Sequence, residues 1–249
     1  MELLTKAKYY TKKTLFLPRY YRIKRNFSES NCGTIYDYKH FMDSDDVIKS
    51  FIYKDENWNY IKNRFEYRKS IRRGLPMVFE DNLCLNGGGK YTVKDNSIVV
   101  KAKRKKDNWL CFYLKDLLPN KYKISFNVRL RSEFTEVQLS FNSDATLGER
   151  YRFILRDNRE IAFECAYCGE FYNHLFSKPM SLELNKDYRF EIIVSAQSYS
   201  LYIDGINCFN ISERKRLISG GNACLILWNY DEDSEINCIL SDFKVMTFA

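Results

Sequence analysis

The chain has 249 residues, of which 45% are apolar and 29% charged, enough apolar surface for a packed core and too much for wholesale disorder. Aromatics reach 16% beside only ten glycines and four prolines, which favours pleated, half-buried strands and excludes collagen-like and low-complexity chains. No apolar run approaches the roughly 18 residues of a membrane-spanning helix, and the net charge of +8 is concentrated at one end.

The first 27 residues hold Lys6, Lys8, Lys12, Lys13, Arg19, Arg22, Lys24 and Arg25 against Glu2 alone, a net of +7 that leaves +1 for the other 222. A near-neutral remainder argues against nucleic-acid binding, where positive charge covers a folded face. On a helix turning about 100° per residue, Leu3, Leu4, Ala7, Tyr10, Leu15 and Leu17 share one arc and the four lysines the other. Pro18 is expected to end that helix, and Arg19–Arg25 continues with alternating basic and aromatic residues. Such a basic amphipathic segment suits an anionic membrane interface or a partner, each basic residue adding about 1 kcal/mol near the surface. It equally suits docking on its own domain. The longest apolar run here, Leu15-Phe16-Leu17, falls short of the roughly 7–15 residues of a signal-peptide core. The expectation is therefore a cytoplasmic protein, at the periphery of a membrane if the segment binds one.

Residues 28–76 read as a connector. A helix capped at Ser44, with Asp45 and Asp46 in its first turn, is expected to run toward Lys54. Residues 57–73, rich in arginine, lysine and aromatics, fit helix or strand, and Gly74-Leu75-Pro76 breaks whatever precedes it. From residue 77 onward the chain is a series of short β-type runs. Tyr91–Val100 reads as strand, Asp95-Asn96 turn, strand; Trp109–Lys115, Lys121–Leu130, Phe134–Asn142 and Glu149–Arg156 follow. Asp157-Asn158 turns into Glu160–Cys165, and the remaining runs are Asp187–Ser195, Tyr199–Asp204, Asn207–Ile211, Ala223–Tyr230 and Ile236–Phe248. Strands at about ten-residue spacing without intervening helices imply an all-β, antiparallel two-sheet sandwich, here with a short helical, basic N-terminal extension.

Eight cysteines occur at 32, 84, 111, 165, 168, 208, 224 and 238. Several sit in strand-like contexts, where a reduced thiol behaves as a small core hydrophobe. Cys165-Ala-Tyr-Cys168 with His174 offers three zinc ligands where a structural site takes four. No metal and no cofactor is expected.

The C-terminal half resembles the concanavalin A-like lectin/glucanase jelly roll, including its laminin-G-like members. The residues that carry the resemblance are Tyr188-Arg-Phe-Glu-Ile-Ile-Val-Ser195, then Leu201-Tyr-Ile-Asp204-Gly205, then Gly220-Gly221-Asn-Ala-Cys-Leu-Ile-Leu-Trp228, and finally Ile239-Leu-Ser-Asp242-Phe243-Lys-Val245. It extends back to Gly89 and implies one jelly-roll domain over residues 77–249. Glycosidases of this fold place acidic residues at alternate positions of one strand, as ExDxxE. The strand best placed for that role reads Glu136-Val-Gln138-Leu-Ser140-Phe-Asn142, one carboxylate where the chemistry takes two. A glycosidase-like enzyme is thereby disfavoured. A lectin-like module is expected instead, binding a glycan or saccharide-bearing ligand through Glu136, Gln138, Ser140 and Asn142, Arg150 and Arg152 on the next strand, and Trp228 and Tyr230 as aromatic platforms. Phe171, Tyr167 and Tyr172, in an expected loop, form a second cluster. A protein-interaction module is the other alternative.

Overall fold

The computed structural model describes residues 18–30, 47–52, 58–60, 90–94, 97–103, 109–114, 117–133, 135–143, 149–167, 170–218, 221–228 and 235–248. Among these described residues a helix, α1 (residues 18–24), precedes sixteen strands. These begin with β1 (Phe27–Glu29), β2 (Val47–Ile52), β3 (Trp58–Tyr60), β4 (Lys90–Lys94), β5 (Ser97–Lys103) and β6 (Trp109–Leu114). The middle of the chain gives β7 (Lys121–Leu130), β8 (Glu136–Ser143), β9 (Arg150–Arg156), β10 (Glu160–Tyr167) and β11 (Glu170–Pro179). The last are β12 (Asp187–Ser195), β13 (Ser198–Ile203), β14 (Ile206–Glu213), β15 (Asn222–Trp228) and β16 (Glu235–Phe248). Among the described residues no helix is long and apolar enough to cross a membrane.

Every pairing is antiparallel, and the strands form two sheets. One runs β1-β14-β13-β12-β7-β16-β5-β4 with β2 against β16, the other β11-β10-β9-β8-β15-β6-β3. This is the expected two-sheet sandwich. Because side chains alternate along a strand, Ile124, Phe126 and Val128 of the first sheet meet Val137, Leu139 and Phe141 of the second in one core. Aromatic rings join the layers: Phe153 stacks on Phe209 at 5.7 Å, and Phe141 tilts against Tyr199 at 5.3 Å. Such pairs add roughly 0.5–1.5 kcal/mol each beyond their burial.

The motifs of the resemblance are local devices. Asp204 and Gly205 both take φ > 0, 50° and 76°, and turn β13 into β14. Gly221 is required by packing, since a Cβ there would meet the Leu118 carbonyl oxygen at 2.7 Å. Asp242, at φ 51°, sits in a register shift of β16 between Ser241 and Lys244. The bulge directs Phe243 into the core, stacked on Phe126 at 5.8 Å.

The N-terminal expectations need correction. Pro18 and residues 19–24 are helical, whereas the helix expected over residues 1–17 lies outside the described residues. The segment beyond it is part of the sandwich, with Ile23 and Phe27 in the core and β1 paired to β14. Within the helix expected from Ser44 toward Lys54, the described residues 47–52 form β2 instead, whose Val-Ile-Lys-Ser-Phe-Ile run pairs with β16. With β3 paired to β6, strands from before residue 77 join both sheets. The loop expected around Tyr167, Phe171 and Tyr172 is the hairpin of β10 and β11, Cys165 standing across from Tyr172.

One carboxylate joins the two sheets at one end. Glu213, at the end of β14, accepts hydrogen bonds from the hydroxyls of Tyr151 (2.7 Å) and Tyr199 (2.5 Å), from opposite sheets. It also accepts from the Leu217 amide (2.7 Å) and the Asn26 side chain (3.2 Å). Burial, with Glu213 adjacent, raises both phenol pKa values, so both remain donors. We expect Glu213→Ala to lower unfolding free energy by about 3 kcal/mol or more, because it strands several buried donors at once. Tyr199→Phe should cost about half as much. Urea denaturation checks this, and a wild-type midpoint for Glu213→Ala would contradict it.

Candidate functional site

The face of β8, β9 and β10 that points away from the core carries a closed ring of polar side chains. Antiparallel register sets it up: Ser140 lies across from Arg152, Arg152 across from Glu164, and Arg156 across from Glu160. Alternation brings Glu136, Gln138, Arg152, Arg156 and Glu164 to the same face. Gln138 Nε2 donates to Glu136 at 2.9 Å and accepts at Oε1 from Arg152 Nη1 at 2.7 Å. Arg152 Nε donates to Glu164 at 2.7 Å. Arg156 closes the circuit, donating from Nη2 to Glu164 at 2.9 Å and from Nε to Glu136 at 3.2 Å.

The ring is deeply buried. Glu136 and Glu164 are 0% exposed, Gln138 2% and Arg152 6%, so Glu136, Gln138 and Arg152, expected to contact a saccharide, have little exposed surface of their own. Among the described residues the ring is more exposed at the Arg156 end. The Arg156 side chain is 17% exposed and lies within 2.5 Å of His174 Nε2, whose other ring nitrogen is 3.0 Å from Glu160. Arg156, Glu160 and His174 thus form an accessible rim with Glu136 and Glu164 behind it.

The two carboxylates differ in proton affinity. Burial raises Glu136 to about 7, against the opposing pull of Arg156 and Gln138. Burial also acts on Glu164, but the guanidiniums of Arg152 and Arg156 outweigh it and hold this carboxyl below its ordinary range. A carboxyl whose proton affinity is raised and one whose affinity is lowered, on the same guanidinium, can share acid and base roles, or present fixed donors and acceptors to hydroxyl groups.

Of the residues expected at the site, the structure brings together Glu136, Gln138 and Arg152. Ser140 lies beside them, its buried hydroxyl without a hydrogen-bond partner among the described residues. Arg150 is also buried, across from Ala166 beyond Arg152, and its pKa is lowered by that burial and by Arg152. Asn142 leaves the ladder: at φ 47° its side chain is redirected and accepts from the core hydroxyl of Tyr122 at 3.0 Å. Trp228 pairs through its backbone with Glu136 and Trp109. Tyr230, Lys6, Lys8, Lys12 and Lys13 lie outside the described residues, whereas Arg19, Arg22, Lys24 and Arg25 lie on α1 or just past it. Sequence reasoning missed Arg156, Glu160, Glu164 and His174. Cys165, Cys208, Cys224 and Cys238 are buried; burial lifts Cys208 to about 11 and Cys238 to about 12, and both stay protonated. Among the described residues no cluster has a metal-ligand arrangement.

The raised Glu136 value has a signed consequence. The folded chain holds this proton more tightly than the unfolded one, so stability should fall as pH rises from 4.5 to about 7. The loss reaches at most about 3 kcal/mol. Glu136→Gln should remove that slope. Denaturation at a series of pH values checks it, and an unchanged slope in the variant would assign the titration elsewhere.

No protein-family model matches the chain, and no curated protein matches its sequence. Solved structures do match its fold. A native glycosidic hydrolase superposes with a TM-score of 0.55 at 9% identity, over 82% of this chain and 97% of its own. A prokaryotic β-1,3-1,4-glucanase (lichenase) derived from a mouse hindgut metagenome gives 0.54 at 9%, over 81% and 100%. A Bacillus subtilis protein of unknown function with a galectin-like fold gives 0.52 at 11%, over 66% and 88%. At these identities the shared property is architecture: this chain has the concanavalin A-like jelly-roll fold.

Proposed function

We propose that the protein binds carbohydrate at the accessible end of the β8–β10 ring. The observation that carries this reading is the rim itself, where Arg156, Glu160 and His174 reach solvent while Glu136 and Glu164 hold Arg156 from behind. A saccharide presents vicinal hydroxyls that both donate and accept. A guanidinium fixed on several sides, a carboxylate and an imidazole meet them without reorganising, which keeps the ordering cost of binding low. The fold supports the reading, since glucanase and galectin-like structures share it.

Glycan-array screening followed by calorimetry on the best ligand tests it. Arg156→Met and His174→Ala should each weaken binding about tenfold or more, from the loss of charged or aromatic contacts. Lys186→Met, at an exposed site in contact with nearby Glu183 and Tyr188, should leave it unchanged. A blank array from folded, monodisperse protein would transfer the assignment to a protein-interaction module.

A second reading is glycoside hydrolysis, favoured by the divergent proton affinities of Glu136 and Glu164. In it Glu136 protonates the leaving oxygen and Glu164 acts as base or nucleophile. Glu136→Gln should then reduce kcat on a β-glucan by about a hundredfold or more with little change in KM. Binding without turnover by the wild type would exclude this reading and retain the first.

A further inference from the structure

Helix α1 turns one face to the sandwich and another to solvent. Tyr20 donates to the His174 carbonyl at 3.2 Å, Ile23 is in the core, and Phe27 meets Phe163 edge-on at 5.4 Å. Lys24 lies over the rings of Tyr20 and Phe176, at 5.7 and 5.8 Å. The opposite arc carries Arg19, Tyr21, Arg22 and Arg25, all exposed, Tyr21 to 54%.

Asn26 adds two further cations to that arc. Its side chain donates to the Lys215 carbonyl at 2.8 Å and accepts from the Lys215 amide at 3.1 Å, while its own carbonyl accepts from the Arg214 amide at 2.8 Å. The turn after α1 and the turn after β14 are thereby fastened together, with Arg214 and Lys215 exposed. None of Arg22, Arg25, Arg214 and Lys215 makes an ion pair among the described residues. The patch therefore belongs to the folded sandwich and is not only a basic tail.

We propose that Arg22, Arg25, Arg214 and Lys215, with Tyr21 among them, form a docking face for an anionic lipid surface. Uncompensated cations grouped on one rigid surface fit a plane of anionic headgroups, and an exposed tyrosine suits the interfacial layer. The preceding sequence favours lipid over a soluble polyanion, because it intersperses the apolar residues Leu3, Leu4, Ala7, Tyr10, Leu15 and Leu17 with Lys6, Lys8, Lys12 and Lys13. Apolar side chains gain nothing from a nucleic acid's phosphates, and the other 222 residues carry only +1.

Sedimentation of the full chain with phosphatidylcholine vesicles, with and without phosphatidylserine, tests the proposal. Binding should require phosphatidylserine and weaken with salt. The combined variant Arg22→Gln, Arg25→Gln, Arg214→Gln and Lys215→Gln should lose affinity by more than tenfold, from about fivefold per charge. Arg131→Gln with Arg159→Gln, two exposed arginines of other turns, should behave as wild type. Undiminished binding by the folded fourfold variant would overturn the proposal. So would a wild type that ignores anionic vesicles but binds heparin or RNA.

Discussion

Arg152 and Phe153 are neighbours in sequence and face opposite ways from the same strand, and both layers of interaction follow from that alternation. Inward, Phe153 stacks on Phe141 at 5.4 Å and on Phe209 of the other sheet at 5.7 Å. Outward, Arg152 ties Gln138 to Glu164. A strand has a period of two, so the register that seals the core also assembles the ring. A slip of one residue would bury the guanidinium among phenylalanines and set the phenylalanine among carboxylates.

Burying four charges and an amide is costly unless each finds partners, and a half-satisfied network is worse than an apolar one. The ring meets that condition by closing on itself. Each carboxylate is held by a guanidinium, and Gln138 joins Glu136 to Arg152. The other sheet carries a smaller device of the same type, Lys123 paired with Glu191 at 2.6 Å with both side chains almost fully buried. In the ring the low-dielectric setting also separates two chemically identical groups. Glu136 shares Arg156 and accepts from a neutral amide, whereas Glu164 touches two guanidiniums, and this difference in neighbours divides their proton affinities.

Much of the sandwich was legible because strand period and turn chemistry act locally. Lys121–Leu130 and Asp187–Ser195 were read at their observed bounds, and Asp204-Gly205 marked its turn by composition alone. Half of the candidate site was legible on the same terms, since Glu136, Gln138 and Arg152 share a face by alternation. Glu164 was not, because its place depends on the β9–β10 register. A two-residue turn at Asp157-Asn158 would set Arg152 across from Phe163. The turn spans three residues, Asp157, Asn158 and Arg159, so Arg156 faces Glu160 and Arg152 faces Glu164. Asn142 was misread for the converse reason: one left-handed φ reverses a side chain that pattern assigns to the ladder. The β1 and β2 strands were hidden because short segments acquire their conformation from the edges they pair with.

The fastening at Asn26 has a chemical corollary. Asn26-Phe27-Ser28 has the form of an N-glycosylation acceptor, yet both hydrogens of its side-chain nitrogen are engaged, one by the Lys215 carbonyl and one by Glu213. Attachment of a sugar at that nitrogen would take one of them, and the bulk of the glycan would have to pass between two turns already bonded to each other. Were that acceptor used, modification and closure would compete for one atom, and whichever came first would decide whether the N-terminal helix is latched to the sandwich or held away from it.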